Sequence, residues 1–352
     1  MSSIKDVARL AGVSIATVSR YVNTPEQVRA PTAKRVEAAI RKTGYETNWL
    51  ARNIRTGKTR QIIVVLPSIG IPFYGPILKG VRKVADAAKY HIQIMETAYN
   101  SVVFDDFTRL ILSKQADGIV LLSSLSPFED KDPDLNVALP PIVLGLEDIS
   151  AKMSHLPSVC IDNEAAARSA TEYLIGLGHR DIGFLNGVYT KIIATGSNSS
   201  LRKHVTDERA AGFRSAMKKK KVPVREDWVI ETRLSIDGGR QAAKQLLAMD
   251  SIPTALFCAN DEMALGAMFE IKKAGLKIPD DISIVGFDNM CYGEISDPPL
   301  TTVEQPAERI GERSMERLLS IIEGHDQQQN NEFLPHSLIK RDSCAAPKKQ
   351  SK

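Results

Sequence analysis

Several features that mark secreted proteins, membrane proteins and metalloproteins are missing from this sequence. Its 352 residues contain four cysteines, with no CxxC pair and no metal-ligand spacing among them, so we expect neither a disulfide framework nor a metal site. No apolar run approaches the roughly 20 residues that span a bilayer. The opening stretch MSSIKDVARL carries charge where a secretion signal is apolar. These absences predict a cytoplasmic protein with reduced thiols and no membrane contact.

Short catalytic motifs are also missing. The sequence has no GxGxxG, GxxxxGK[ST], HExxH or GxSxG, the common signatures of dinucleotide, phosphate, zinc-protease and hydrolase sites. His179, in LGHRDIGFL, comes just before a predicted strand and is interpreted as a junction residue rather than a catalytic one. We therefore expect no catalytic residue, no cofactor and no metal. Because an α/β fold can host many reactions without such a motif, an enzyme acting on a sugar or nucleoside stays open as an alternative.

Positive charge is concentrated at one end of the chain. Residues 1–60 hold twelve lysines and arginines against four acids, a net charge of +8, whereas the whole chain carries +4, leaving −4 for the rest. A basic module attached to a mildly acidic body predicts a polyanionic partner for the module alone. A solvated charged face would explain the same asymmetry without a partner.

The first 46 residues have the pattern of three short helices. Ser3 begins a predicted helix over residues 4–11, and Ser14 caps a second helix of about 15–22. A third helix is predicted from about 31 to 42. A tight turn between the first two helices is typical of a helix-turn-helix unit. Its small core is predicted to contain Val7, Ala8, Val13, Val18, Val36 and Ile40.

Beyond residue 60, short apolar strands alternate with amphipathic helices. A first series contains IIVVLP, HIQIME, DGIVLLS and PIVLGL, and a second contains SVCID, DIGFLNG, WVIE, TALFCA and ISIVGFD. This alternation predicts an α/β body of two doubly wound parallel-sheet lobes, with a ligand cleft at the carboxyl ends of the strands. We place the body at 61–342. Lobe 1 is predicted at about 61–157 plus 305–325, lobe 2 at about 158–304 plus 326–342, and a disordered tail at 343–352.

Five longer motifs occur in an order that resembles a known family. They are IKDVARLAGVSIATVSRYVN, LARNIRTGK, PTALFCANDEMALGAM, PDDISIVGFDN and DPPLTTVEQP. Together they resemble the lactose-repressor (LacI/GalR) family of bacterial transcription regulators over nearly the whole chain, and SPFED favours its cytidine and purine repressor branch. The resemblance implies a helix-turn-helix DNA-binding domain at 1–46, a hinge helix or linker at 47–60, and a periplasmic-binding-protein-like body that binds an effector and dimerises.

The second helix is accordingly expected to read operator DNA. Arg20 is the residue there with a bidentate fit to guanine, whereas Ile15 and Ala16 can only contact thymine methyls or read shape. Val18 is interpreted as core. The resemblance assigns the choice of operator sequence to Ile15, Ala16 and Arg20, and it matches Ile54 to a side chain inserted into the minor groove. The residues predicted to bind DNA are Ser14, Ile15, Ala16, Thr17, Ser19, Arg20, Asn23, Asn48, Arg52 and Ile54.

The resemblance also implies a small polar effector between the lobes. A guanidinium opposite a carboxylate suits vicinal hydroxyls, and aromatic rings can stack on a sugar or a base. The predicted effector-binding residues are Phe73, Tyr74, Ser123, Arg209, Asn260, Asp261, Asp288 and Gln305. Gly145 and Leu234 depart from the sugar- and purine-binding patterns, and the span 187–209 is longer than usual. The effector therefore stays open among sugars, sugar phosphates and nucleosides.

The sequence thus predicts a homodimeric, sequence-specific DNA-binding regulator, most simply a repressor, which would associate with the nucleoid. Dimerisation rather than tetramerisation is expected because the C-terminal residues carry no leucine heptads. Two other readings remain at this point: a solute-binding protein whose basic segment is incidental, and the α/β enzyme considered above.

Overall fold

The computed structural model describes residues 2–45, 58–97, 115–122, 140–146, 156–187, 205–325 and 331–348. The chain divides into two compact units, Met1–Thr59 and Arg60–Lys352, and each is described by itself. Most of the hinge predicted at 47–60 lies outside the described residues, as does most of the long span predicted at 187–209. No helix in the described ranges is long and apolar enough to span a membrane.

The first unit is built from three helices, α1 (Ile4–Ala11), α2 (Ile15–Asn23) and α3 (Ala30–Thr43). The carboxylate of Asp6 accepts hydrogen bonds from the Ser3 backbone N at 3.0 Å and from the Ser3 hydroxyl at 2.7 Å, which fixes the start of α1. Gly12 ends α1 with φ 62°, a left-handed conformation that glycine adopts without a Cβ clash. The predicted helix bounds are confirmed to within one or two residues.

A small apolar core holds these three helices together. Its buried side chains are Val7, Ala8, Ala11, Val18, Val36 and Ala39, with Val13 and Ile40 packed against them. The prediction of this core is confirmed, except that Ala11 and Ala39 were not included in it. Val18 is fully buried, so this position of α2 supports the helix and cannot reach a partner.

The second unit contains two six-stranded sheets. The strands are β1 (Gln61–Leu66), β2 (His91–Glu96), β3 (Gly118–Leu121), β4 (Ile142–Gly145), β5 (Ser158–Ile161), β6 (Ile182–Gly187), β7 (Val229–Thr232), β8 (Ala255–Cys258), β9 (Ser283–Phe287), β10 (Thr301–Glu304), β11 (Asn331–Leu334) and β12 (Ser337–Ile339). The first sheet has the order β11-β5-β4-β3-β1-β2 with every pairing parallel, and the second has the order β12-β10-β9-β8-β6-β7, parallel except for β12 against β10. Two doubly wound lobes are confirmed.

Helices cover the sheets in closely packed pairs. The described helices are α4 (Tyr74–Ala87), α5 (Asn163–Gly176), α6 (Val205–Lys219), α7 (Ile236–Leu247), α8 (Asp261–Lys273), the short α9 (Cys291–Glu294) and α10 (Ala307–Ile322). The pairs are α4 with α10, α5 with α6, and α7 with α8. Backbones meet in the first pair, because a Cβ on Gly80 would lie 2.0 Å from the Glu308 carbonyl and one on Gly311 would lie 2.0 Å from that of Ile77. Helix α10 therefore belongs to the first lobe, as predicted.

Two segments were predicted to belong to the wrong lobe. Strand β5 pairs with β4 and β11, so residues 158–161 and 331–334 complete the first sheet rather than the second. The partners of a strand in a parallel sheet are distant in sequence, so the local hydrophobic pattern does not reveal which sheet the strand joins.

The predicted disordered tail is also wrong for residues 343–348. Ser343 is fully buried, and its hydroxyl accepts from the Thr301 backbone N at 2.8 Å and donates to the Ile284 carbonyl at 2.6 Å. The Ala345 carbonyl lies 2.9 Å from His179 Nε2. His179 is itself buried and also contacts Thr254 and Ser283, which agrees with its interpretation as a structural residue.

Candidate functional site

Helix α2 presents an exposed face that extends from its N-terminal cap to Arg20 in its last turn. The Ser14 hydroxyl accepts from the Thr17 backbone N at 3.1 Å and lies 2.9 Å from the Thr17 hydroxyl, so these two side chains form the cap. Ile15, Ala16 and Arg20 are exposed, and Ile15 keeps 45% of its surface in solvent. Because residues four apart are neighbours on a helix, Ala16 and Arg20 share this face.

The other predicted DNA-binding residues are less fully described. Ser19 is half-buried and already has an interaction with another residue. Asn23 is the last residue of α2, but its side chain lies outside the described residues. Asn48, Arg52 and Ile54 also lie outside them. The structure therefore exposes the three predicted base-reading residues on α2, and the hinge contacts remain predictions.

The second unit has a cleft where the strands of both sheets end. Asn260 follows β8, Asp288 follows β9, and Gln305 follows β10, which is the edge where parallel sheets bind ligands. The space, including its open mouth, amounts to about 640 Å³. The described residues that line it are Ile71, Phe73, Tyr74, Leu122, Leu146, Val205, Arg209, Leu234, Asn260, Glu262, Asp288, Met290 and Gln305.

Arg209 is held at the back of this cleft by four neighbours. Its Nε donates to Asn163 Oδ1 at 3.1 Å and its Nη1 donates to the Ala259 carbonyl at 2.6 Å. Its Nη2 lies 3.7 Å from Asp288 Oδ1, and the guanidinium carbon lies 3.7 Å from the centre of the Phe287 ring. The side chain is buried, so its charge is fixed in orientation before any ligand arrives.

Asp288 is the acid that faces this guanidinium. Its backbone has φ 105°, and its Oδ1 accepts from Gln305 Nε2 at 2.7 Å. Burial raises the pKa of Asp288 to about 6, an effect that Arg209 and Gln305 partly oppose. Arg209, Asp288 and Gln305 therefore form one polar cluster in which donors and acceptors lie side by side.

Asp261 was predicted to line the cleft, but the structure places it behind the wall. Its side chain is fully buried and is not among the lining residues. Oδ1 accepts from the Thr302 hydroxyl at 2.6 Å and Oδ2 accepts from the Met290 backbone N at 2.7 Å. Burial, and secondly the charge of Asp288, raises the pKa of Asp261 to about 8. It supports the Asp288–Met290 turn rather than contacting a ligand.

The residues around Asp261 show why it fits there. Asn260 caps α8 by accepting from the Met263 backbone N at 2.9 Å, and this cap directs residue 261 inward. A Cβ on Gly286 would lie 2.1 Å from Asp261 Oδ1, so only glycine leaves room for the carboxyl group. Asn260 itself lines the cleft, as predicted.

Apart from Glu262, the remaining described lining of the cleft is apolar. The rings of Phe73 and Tyr74 meet edge to face with centroids 5.8 Å apart, and both line the space as predicted. A Cβ on Gly145 would lie 2.5 Å from Leu122, and Leu234 packs against Gly187. Of the two positions that depart from the family pattern, Leu234 lines the cleft, whereas Gly145 is next to the lining residue Leu122 and is not itself among the lining residues.

Several residues that line the cleft were not predicted from the sequence. Glu262 is the polar one among them, although its place after Asn260 and Asp261 at the start of α8 was a usable signal. Ile71, Leu122, Leu146, Val205 and Met290 carry no chemistry that would have marked them. Ser123 lies outside the described residues.

The two units together define a class of protein: a helix-turn-helix unit joined to a two-lobed α/β body with a polar cleft. Comparison with known proteins agrees with this class. Residues 3–48 match the family described as bacterial regulatory proteins, lacI family, and residues 171–344 match the periplasmic binding protein-like domain.

Full-length relatives are repressors. The chain is 36% identical over 345 residues to the HTH-type transcriptional repressor CytR of Escherichia coli (strain K12), covering 98% of this chain and 97% of that protein. It is 33% identical to the repressor PurR of Vibrio cholerae serotype O1 (strain M66-2), covering 97% and 98% of the two chains. This chain belongs to the lacI family of bacterial regulatory proteins.

Solved structures give the same result. The lac repressor dimer bound to operator and the anti-inducer ONPF superposes with a TM-score of 0.78 at 28% identity, covering 98% of this chain and 99% of that chain. The complex of the transcriptional regulator CelR with cellobiose superposes with a TM-score of 0.71 at 26% identity, covering 97% and 100%. The solute-binding and enzyme alternatives are not favoured, because the relatives named here are transcriptional regulators.

Proposed function

We propose that this protein is a transcriptional repressor that binds operator DNA as a homodimer and responds to a small polar effector. The similarity to CytR along 98% of the chain carries the proposal, and it is supported by an exposed reading face and a polar cleft in the same chain. Such a protein acts where its operator is, in the cytoplasm and in association with the nucleoid.

On DNA, α2 lies in the major groove with its N-terminal end toward the bases. Arg20 donates two hydrogen bonds to a guanine, while Ile15 and Ala16 meet thymine methyls or exclude other bases. Ser14, Thr17 and Ser19, with the backbone N–H groups at the start of α2, contact phosphates, and Asn23 joins them. From the hinge, Asn48 and Arg52 contact DNA and Ile54 wedges into the minor groove.

Footprinting of the purified protein on its own upstream region tests this proposal. A near-palindrome protected at moderate salt is the expected result, and its absence would contradict operator binding. Affinity should fall steeply as salt rises, because phosphate contacts release counterions.

The variant R20A tests the assigned base contact. We expect it to weaken specific binding by about 1–3 kcal/mol and to leave non-specific binding nearly unchanged. R41A is the matched control, since Arg41 is an exposed arginine of α3 paired with Glu37. The variant I54A should instead reduce DNA bending. If R20A loses specific and non-specific affinity equally, Arg20 is a phosphate contact.

The effector binds in the cleft between the lobes. Arg209, Asp288, Gln305 and Asn260 supply fixed donors and acceptors, while Phe73 and Tyr74 cover an apolar face of the ligand; Ser123 is also assigned to this site. One related structure holds cellobiose. An effector changes operator affinity only through its different affinity for the two states of the protein, and couplings of about 1–3 kcal/mol are typical. Thermal-shift screening of sugars, sugar phosphates and nucleosides tests this part.

A further inference from the structure

Glu262 is the one cleft residue whose carboxyl group has no polar partner among the described residues. It is half-buried and lines the space beside Asn260 and Asp288. No hydrogen bond to the Glu262 carboxyl group affects its pKa, whereas burial, and secondly the charge of Asp288, raises that pKa. A carboxyl group that is partly removed from water without a partner is costly, unless a ligand supplies the missing hydrogen bond.

The charges around Glu262 restrict what that ligand can be. Arg209 is the only cation among the described residues that line the cleft. Its guanidinium is already engaged by Asn163, Ala259 and Asp288. The described lining thus contains two acidic side chains and one arginine whose guanidinium is already hydrogen-bonded and ion-paired. Among the described lining residues, a phosphate group would therefore meet two carboxylates and no cation that is not already engaged.

We propose that Glu262 determines effector specificity by accepting a hydrogen bond from a hydroxyl or amino group of the effector and by excluding phosphorylated compounds. This inference rests on the proposed function, since it concerns the same cleft. The inference narrows the effector to an unphosphorylated sugar or nucleoside, or an amino derivative of one. It also assigns the effector contact to Glu262 rather than to Asp261, which does not line the cleft.

A purely structural role for Glu262 would predict that E262Q destabilises α8 without changing which effectors bind. Acids in the first turn stabilise a helix through the positive end of its dipole, and Glu262 is the second residue of α8. Glu164 occupies the same position in α5, which Asp162 caps in the way that Asn260 caps α8. Glu164 is exposed and is not among the residues that line the cleft. E164Q is therefore a matched control for E262Q.

Calorimetric titration of the full-length protein tests the inference with three pairs of compounds. They are adenosine and adenosine 5′-monophosphate, cytidine and cytidine 5′-monophosphate, and glucose and glucose 6-phosphate. We expect at least one unphosphorylated compound to bind, with its phosphate ester weaker by about tenfold or more. E262Q should reduce that ratio by about tenfold, and E164Q should leave it unchanged. Unfolding midpoints of both variants show whether either merely destabilises its helix.

Three results would overturn the inference: an ester that binds the parent as tightly as its unphosphorylated partner, a ratio that E262Q does not change, or no binding by any of the six compounds. Failure of the proposed function would look different. In that case footprinting would show no protected operator, whatever the titrations show.

Discussion

The buried carboxyl group of Asp261 predicts an unusual dependence of stability on pH. Its pKa is raised from 3.8 in a free side chain to about 8 in the folded protein. Between these values the folded state keeps a proton that the unfolded state has released. The stability that this group contributes is therefore complete below about pH 4 and is lost as the pH rises toward 8.

The variant D261N removes this titration and preserves the contacts. An asparagine oxygen can accept from the Met290 backbone N, and its amide can donate to the Thr302 hydroxyl, which then acts as acceptor. Each pH unit between 5 and 7 is worth about 1.4 kcal/mol for one such proton. We expect D261N to gain about 2–3 kcal/mol of unfolding free energy relative to the parent over that interval.

Urea unfolding from pH 5 to pH 8 measures this difference. The chain has two tryptophans, Trp49 and Trp228, and Trp228 is buried in the second lobe, so a W49F background reports on that lobe alone. D281N is the control, because the pKa of Asp281 is lowered by its bond to Lys348 and the group stays ionised over this range. If the parent and D261N have the same pH dependence, Asp261 is ionised in the folded protein and the reasoning fails.

Three further predictions concern packing and a second buried titratable group. V18A should destabilise the first unit by about 2 kcal/mol, because the side chain is fully buried. Hydrogen exchange in residues 2–45 should then be faster, and unchanged exchange would contradict the assignment of Val18 to the core. G311A should cost about 1–3 kcal/mol in urea unfolding, since its Cβ would lie 2.0 Å from the Ile77 carbonyl, whereas G176A, with open space around that Cβ, should cost nothing. Burial lowers the pKa of His179 below 6.5, so the parent should lose stability relative to H179Q as the pH falls through 6.5; a constant difference would mean that His179 does not titrate.

Local features were predictable from the sequence because their causes are local. Ser3, Ser14 and Asn260 each cap the helix that follows, and the strand segments are continuous apolar runs. Such signals act over a few residues and need no knowledge of the fold. They gave the helix-turn-helix unit and the two lobes.

Features that depend on distant residues were not predictable in the same way. The place of β11 beside β5 depends on residues more than 160 positions earlier, and the order in residues 343–348 depends on bonds to Ser283, Ile284 and Thr301. Asp261 was assigned to the cleft through the family resemblance, in the same motif as Asn260. Asn260 is the N-cap of α8 and has an extended backbone (φ −151°, ψ 170°), so it can line the same space as Glu262 although Asp261, the first residue of the helix, points inward.

The pairing of β11 with β5 also has a consequence for synthesis of the protein on the ribosome. Strands β6 to β10 of the second sheet leave the ribosome before α10 and β11, which complete the first lobe. During that interval the edge of β5 has no partner on one side, and an open strand edge is a site for pairing with other chains. A nascent chain that stalls before residue 331 would therefore have a nearly complete second lobe and a first lobe that is prone to aggregation. A chain that ends before residue 331 should therefore aggregate more readily than one that contains β11.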